Sequence, residues 1–508
     1  MSLKAIDVLV FVAFYGLVLG VSLWKSRGRR TSEDYFLGGR QLPWWLIGVS
    51  IVAANISTEQ FVGMAGQAAG SVGLAVSAWQ LTGAVGIVIV AFTFLPRFLR
   101  AGLYTMPEYL EYRYSAAART VMSILTVVIY VTVTTTAVLY SGATALETIF
   151  GLSLPLALAV ICGIAIGYVL WGGLLAAVWA DLFQGSALLM GGLVTLGLGL
   201  AAVGGPAAFL QANGDRLHMI LPRSHPELPW TVLVGGMWIP IFYYCGLNQF
   251  ITQRTLAARS LGQGQTGIVL AAALWLLVPF AIVMPGVIAH QLYGAVLERP
   301  DQAYPMLIRE LVPSGVRGFI LAALAGAVIS TLASVLNSAS TLFTMDLYRR
   351  FFRKSASQAE LVGVGRVATV LALALAAVLA TSPFLKGGVF TFIQEFQGYV
   401  SPGIVAAFVV GFAVPTAPPL AGLAALVLSA PVYGLLAVAR PDVAYLHRML
   451  ATLGLLVSIM VAITLARPLA QPRRLPVREG FDLRPSRPAL AGGVTVIVAV
   501  AVFFWVFR

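Results

Sequence analysis

AANISTEQF, residues 53–61, is the stretch on which the reading of this chain turns. The sequence around it, from Trp44 to Gly70, is mostly Leu, Ile, Val, Ala and Gly, the composition of a membrane helix. Yet it places Asn55, Ser57, Thr58, Glu59 and Gln60 almost side by side. Hydrocarbon cannot satisfy free backbone groups, so broken helix survives at membrane depth only where it lines a cavity or is buried in protein. On a helix Ala53, Ser57 and Gln60 share one face, and Asn55 and Glu59 another. Polar groups on two faces cannot both look at lipid, so other helices must enclose this one. Isolated Ser, Thr, Asn and Gln often do no more than bond a neighbouring helix. A cluster of them with a carboxylate favours a functional site.

The whole chain supports a membrane setting. Hydrophobic residues make up 59%, charged residues 10%, and the mean hydropathy is +0.91. A spanning helix needs about 20 apolar residues. Fourteen segments qualify: 4–24, 44–69, 71–96, 117–148, 152–173, 176–204, 231–257, 264–291, 315–348, 362–382, 388–412, 417–437, 443–466 and 488–507. They leave no room for a large soluble domain, and no window alternates as a membrane β-barrel would. The first segment lacks a small-residue cleavage site and reads as a retained helix. With the N-terminus outside and sides alternating, 22 of the 32 Lys and Arg fall inside. Among them are Lys25, Arg27, Arg29, Arg30, Arg40, Arg254, Arg259 and Arg474. This bias fits the positive-inside rule and predicts a multi-pass cell-membrane protein with both termini outside the cytoplasm. The net charge of +13 therefore belongs to loops that meet lipid headgroups, not to a nucleic-acid site.

Cys162 and Cys245 lie in apolar segments, and the four histidines are scattered. No disulfide framework, metal motif, phosphate-binding loop or hydrolase signature is present, so an enzyme is not expected. A second polar cluster lies at GAVISTLASVLNSASTLFTMDLY, residues 326–348. Ala327, Ser330 and Ser334 form a stripe at helical spacing, extended by Thr331, Asn337, Ser338, Ser340 and Thr341. Such hydroxyls allow close helix approach. Together with carbonyls of an unwound helix they also suit a small alkali cation.

Several strings carry a family resemblance. They are TSEDYFLGGRQLPWWLIGVSIVAANISTEQFVGMAG (31–66), YTMPEYLEYRY (104–114), GGLLAAVWADLFQ (172–184), NQFITQRTLAARS (248–260), the serine-rich segment, and FIQEFQGYVSPG (392–403). From about residue 30 to 410 the chain resembles the sodium/solute symporter family, and most of all its bacterial sodium/sugar (glucose or galactose) cotransporters. The resemblance implies an all-α integral membrane fold of about 14 helices in a single transporter domain, 1–508. Its core would be a five-plus-five inverted repeat of the leucine-transporter type. Repeat one would span 44–204 and repeat two 231–412, with an extra helix at 4–24 and three C-terminal helices over 417–507. The first helix of each repeat would be broken; in the second, Pro240 and the polar residues after it suit a break.

By the same resemblance, carbonyls and hydroxyls at Ala53, Ile56, Ala327, Ser330 and Thr331 would hold sodium, the only metal expected. The pair that would serve a second ion is Ala333 and Ser334, with one hydroxyl missing. Asp181 stands where the family places an acid of the second site or exit path; read alone, it is an acid near the interface reaching cytoplasmic water. One sodium per cycle is therefore expected. Gln60, Trp79, Gln80, Ile241, Tyr244, Trp275 and Gln394 match substrate-binding positions, with Tyr244 as the inner gate. Gln80, Ile241, Trp275 and Gly83 stand where the sugar transporters have Glu, Asn, Lys and Ser. Polar contacts to a sugar are thus reduced. Amides that both donate and accept still suit a neutral polyhydroxylated ligand. Asn55, Glu59 and Glu395 are read as structural polar groups, the two acids having proton carriage as their alternative.

The expected function is sodium-coupled uptake of a small neutral solute, most of all a sugar, with no organic cofactor. Lipid is the surrounding partner, and a monomer suffices because the pathway lies within one chain. Alternatives are an inositol or other polyol, an amino acid or a carboxylate as solute, and, in a different class, a transporter-like sensor or a channel. An anionic solute is disfavoured because no Arg is expected in the central segments.

Overall fold

The computed structural model describes residues 4–26, 40–169, 174–383, 385, 388–473 and 475–508. Residues 31–39 of the first motif, residues 170–173 of the fifth segment, and Arg27, Arg29, Arg30 and Arg474 lie outside the described residues. Among the described residues the secondary structure is helical, and the one β-contact is an isolated bridge between Leu42 and Ala258.

Among the described residues, ten helices are long and apolar enough to cross a membrane, or up to twelve if each of two bent pairs is one span. The bent pairs are Trp44–Asn55 with Gln60–Ala69, at 55°, and Val389–Gln397 with Ser401–Ala413, at 46°. Two shorter apolar helices, Leu154–Gly167 and Trp238–Leu247, fall in the remaining expected segments. The protein is therefore a multi-pass membrane protein. The break within 388–412 was not expected. In the 231–257 segment Pro240 sits inside the helix Trp238–Phe242 and does not itself make the break, which falls among the polar residues after it. The chain instead turns extended at Asn248 (φ −78°, ψ 124°), whose side chain caps the next helix, Gln249–Leu256, by accepting from Phe250 N at 3.2 Å. Between Pro240 and Asn248, Tyr243–Leu247 form a wide π-turn, a feature frequent at functional sites.

Local signals set the helix ends. Ser115, Ser260 and Ser486 accept from the backbone of the first turns of the helices that follow them. Gly102 ends the helix Leu95–Ala101 in the left-handed conformation at φ 69°. Pro431 is tolerated within Pro419–Ala439, as prolines are where neighbouring helices resatisfy the backbone.

Small residues hold the first broken helix in place. A Cβ on Gly48 would lie 2.7 Å from the carbonyl of Gly267, and one on Gly267 would lie 2.7 Å from that of Trp44. Its first half thus packs backbone to backbone on the helix Leu261–Trp275, the close approach that drives helix association in lipid. Its second half packs likewise on Met284–Tyr293, where a Cβ on Gly286 would come within 2.4 Å of the Ala65 carbonyl. Because backbone cannot step aside, Gly267→Ala should cost roughly 1–3 kcal/mol, as overpacking does. Thermal unfolding in micelles checks this; an unchanged midpoint would contradict the contact.

Candidate functional site

The break in the first helix frees particular carbonyls. In a continuous helix Ser57 N would donate to the Ala53 carbonyl and Gln60 N to that of Ile56. Here Ser57 N donates to Asn55 O at 3.2 Å and to Gln60 Oε1 at 3.2 Å. Gln60 N donates to Ser57 O at 3.1 Å. The carbonyls of Ala53 and Ile56 thus lose their helical donors. Ile56 carries the departure from helix, at φ −86° and ψ 88°. The Ser57 hydroxyl donates to the Glu59 carboxylate, which is buried. Ser141 Oγ donates to Thr58 Oγ1 at 3.0 Å and ties the break to the helix Thr136–Phe150.

Beside this break runs the unbroken helix Val316–Thr341, carrying Ala327, Ser330 and Thr331, all buried. It contacts Trp44–Asn55 directly, and both contact the helix Leu174–Ala202. Glycines permit that approach: a Cβ on Gly185 would lie 2.5 Å from Ala53 Cβ, and one on Gly326 would lie 2.6 Å from the Gln184 amide. At the junction sits Asp181. Its Oδ1 accepts from Ser330 Oγ at 2.5 Å. Its Oδ2 accepts from Ser50 Oγ at 2.8 Å and from Arg254 Nη2 at 2.9 Å. Arg254 also donates to Ser50 Oγ at 2.7 Å, to the Phe250 carbonyl, and at 3.5 Å to Ser334 Oγ. Asp181 and Arg254 are each only 1% exposed.

Two expectations are corrected here. Asp181 is not an interfacial acid reaching water; it is buried in an ion pair. Arg254, assigned from sequence to an inside loop, lies in the centre of the protein, so the central segments do contain an Arg. Sequence reasoning missed the pairing because Arg254 ends an apolar segment, where a basic residue reads as a loop. The string NQFITQRTLAARS contained the signal, a cation under two helical turns after the polar break at Asn248.

The expected substrate positions come together. Gln60, Trp79, Gln80, Ile241, Tyr244, Trp275 and Gln394 all line one cavity of about 80 Å³, with Asn55 and Glu59. Gln80 Nε2 donates to Asn55 Oδ1 at 2.8 Å. Tyr243, Asn248, Phe390 and Gln397 also line it and were not anticipated. The Tyr243 hydroxyl and the Trp275 indole N–H are buried without a hydrogen-bond partner. Asn248 accepts from the Tyr130 hydroxyl at 2.5 Å, closing one side. A benzene-sized apolar cavity measures about 150 Å³. A ring-sized ligand therefore requires these side chains to move apart. Arg254 does not line the cavity. Glu395, expected to be structural, pairs with Arg448 at 2.8 Å.

A model of the sodium:solute symporter family matches residues 35–417. The chain belongs to that family. The symporter is 40% identical to a sodium/glucose cotransporter of Vibrio parahaemolyticus, over 81% of each chain. It is 34% identical to an uncharacterized symporter of Escherichia coli K12, over 98% of this chain and 90% of that one. It is also 34% identical to the pig (Sus scrofa) sodium/myo-inositol cotransporter 2, over 81% of this chain but 66% of that one. In structure the symporter resembles the substrate-bound, outward-open state of a sodium-coupled sialic acid symporter, with a TM-score of 0.81 at 21% identity over 92% of this chain and 99% of that one. It also resembles Mhp1, a nucleobase-cation-symport-1 family transporter, in a closed conformation, with a TM-score of 0.58 at 16% identity over 87% and 97%. These structures establish the transporter fold. The family and these relatives support sodium-coupled solute uptake, not an enzymatic activity.

Proposed function

We propose that the symporter couples the entry of one sodium ion per cycle to uptake of a small neutral polyhydroxylated solute, a sugar or sugar-like polyol, by alternating access. The observation that carries this reading is the pair of carbonyls, Ala53 and Ile56, whose helical donors are diverted beside the hydroxyl helix. In this reading they hold sodium together with the Ala327 carbonyl and the Ser330 and Thr331 hydroxyls. The Ser330 hydroxyl donates its hydrogen bond to Asp181 Oδ1, which leaves the hydroxyl's lone pairs for a cation. The fourteen spans form two inverted five-helix repeats, 44–204 and 231–412, with both termini outside. One helix precedes the repeats and three follow.

Arg254 supports the one-ion stoichiometry. Its guanidinium already neutralises Asp181 and reaches Ser334, the remaining hydroxyl of the second-ion pair. For the solute, Gln60 and Gln394 grip hydroxyls, and Trp79, Tyr244 and Trp275 offer faces to the apolar side of a ring, with Tyr244 as the gate. The sodium/glucose and sodium/myo-inositol relatives favour the same class. Sodium binding orders the break and favours the state that accepts the solute. Coupling follows because each ligand prefers one state. Each inward charge contributes about 2.3 kcal/mol per 100 mV.

Thermal unfolding of the purified chain tests the coupled binding. Glucose, galactose or myo-inositol should raise the midpoint in sodium chloride, by about 2.7 kcal/mol of stabilisation at a hundredfold excess over Kd. They should do so far less in choline chloride. Equal stabilisation in both salts contradicts the coupling. Gln60→Ala should remove the sugar shift and keep the shift that sodium alone produces. Loss of both would contradict the division of roles.

A further inference from the structure

Away from the polar cavity, an apolar crevice of about 440 Å³ lies between the helices Ala5–Ser26, Thr136–Phe150, Leu154–Val169 and Val316–Thr341. Val8, Val160 and Ile164 line it and are 48%, 42% and 52% exposed, so it opens on the outer surface of the bundle. Gly142, Val328 and Thr58 line it as well and are buried. Three polar side chains line it, Asp7, Tyr15 and Thr58, and the Tyr15 ring stacks on Phe11 with centroids 5.8 Å apart. The Asp7 carboxylate accepts from Gly315 N, Gly318 N and Arg317. The Thr58 hydroxyl accepts from Ser141. The rest of the described lining is apolar side chains and glycine.

We propose that this crevice takes the alkyl chain of a membrane phospholipid. The occupant follows from where the mouth opens. The helix Ala5–Ser26 is an apolar span whose window is only 18% buried, so the rim it shares with Leu154–Val169 faces bilayer hydrocarbon. The crevice is continuous with that lipid-facing surface. An apolar cavity of about 150 Å³ accommodates benzene, and this one is nearly three times larger. Left empty, its walls would forfeit their dispersion contacts. A chain entering from the bilayer restores them without dehydrating anything. The crevice reaches Thr58, which sits in the break between Trp44–Asn55 and Gln60–Ala69. A seated chain therefore packs against the segment that must move during transport.

The test uses the full chain in phosphatidylcholine–phosphatidylglycerol vesicles containing a phosphatidylcholine with a diazirine near the end of one acyl chain. After photolysis, adducts are mapped by proteolysis and mass spectrometry. Adducts are expected on Leu146 and Val328, inside the crevice. Val160→Trp, at the exposed mouth, should lower them several-fold relative to adducts on the lipid-facing helix Gln358–Leu379. Ala325→Phe fills the crevice from the opposite wall and should do the same. Adducts confined to rim residues such as Val8 and Ile164, or unchanged in both variants, would overturn the proposal.

Discussion

Ser330→Ala should raise the sodium concentration for half-maximal uptake by roughly 10- to 100-fold, the cost of one hydrogen-bonding group facing a charge. Ser330 is buried on the helix Val316–Thr341 and donates at 2.5 Å to Asp181 Oδ1. The substitution removes an oxygen from the proposed ion site and a donor from a buried carboxylate. Ser330→Thr keeps the hydroxyl and should keep most of the affinity. Sodium titrations of uptake in proteoliposomes decide the matter. An unchanged half-saturation in Ser330→Ala would place the ion elsewhere.

Arg254→Leu should destabilise the protein by roughly 3–5 kcal/mol, because breaking a buried pair leaves an uncompensated charge. Arg254 and Asp181 are both buried, and their partners are each other, Ser50, Ser330, Ser334 and the Phe250 carbonyl. Asp181→Asn alone leaves the guanidinium short of a counter-charge. The double variant should recover a large part of the loss, since replacing both ions removes the penalty instead of exposing it. Unfolding midpoints of the two single variants and the double variant give the coupling directly. Additive losses would show that the pair does not act as a unit. The same cycle bears on stoichiometry. In Arg254→Leu, Asp181 faces Ser330 without its fixed cation, and the Hill coefficient for sodium should rise.

Much of the architecture was legible in the sequence. The apolar runs located the helices because each span must be long and hydrophobic in lipid. The polar run at 55–60 located the first break, since no lipid-facing helix tolerates groups on two faces. The seven positions expected to bind substrate, spread from Gln60 to Gln394, came from the family resemblance, and all of them line one cavity. What stayed hidden depends on pairings across the bundle. Asp181 and Arg254 lie 73 positions apart, and no local pattern joins them. Glu395 likewise finds Arg448 on another helix. The break at Asn248, one of the polar residues after Pro240, rests on a side-chain cap and on a hydrogen bond from Tyr130, and no local pattern singles it out among them.

Solute uptake into proteoliposomes under an imposed inward sodium gradient tests the central claim most directly. A panel of hexoses, inositols and amino acids should show one sugar or polyol accumulating above its external concentration, with one net positive charge moved per solute. Replacing sodium by choline should abolish that accumulation. Uptake that proceeds equally in choline, or that follows an imposed proton gradient instead, would contradict sodium coupling through the Ala53–Ser330 site.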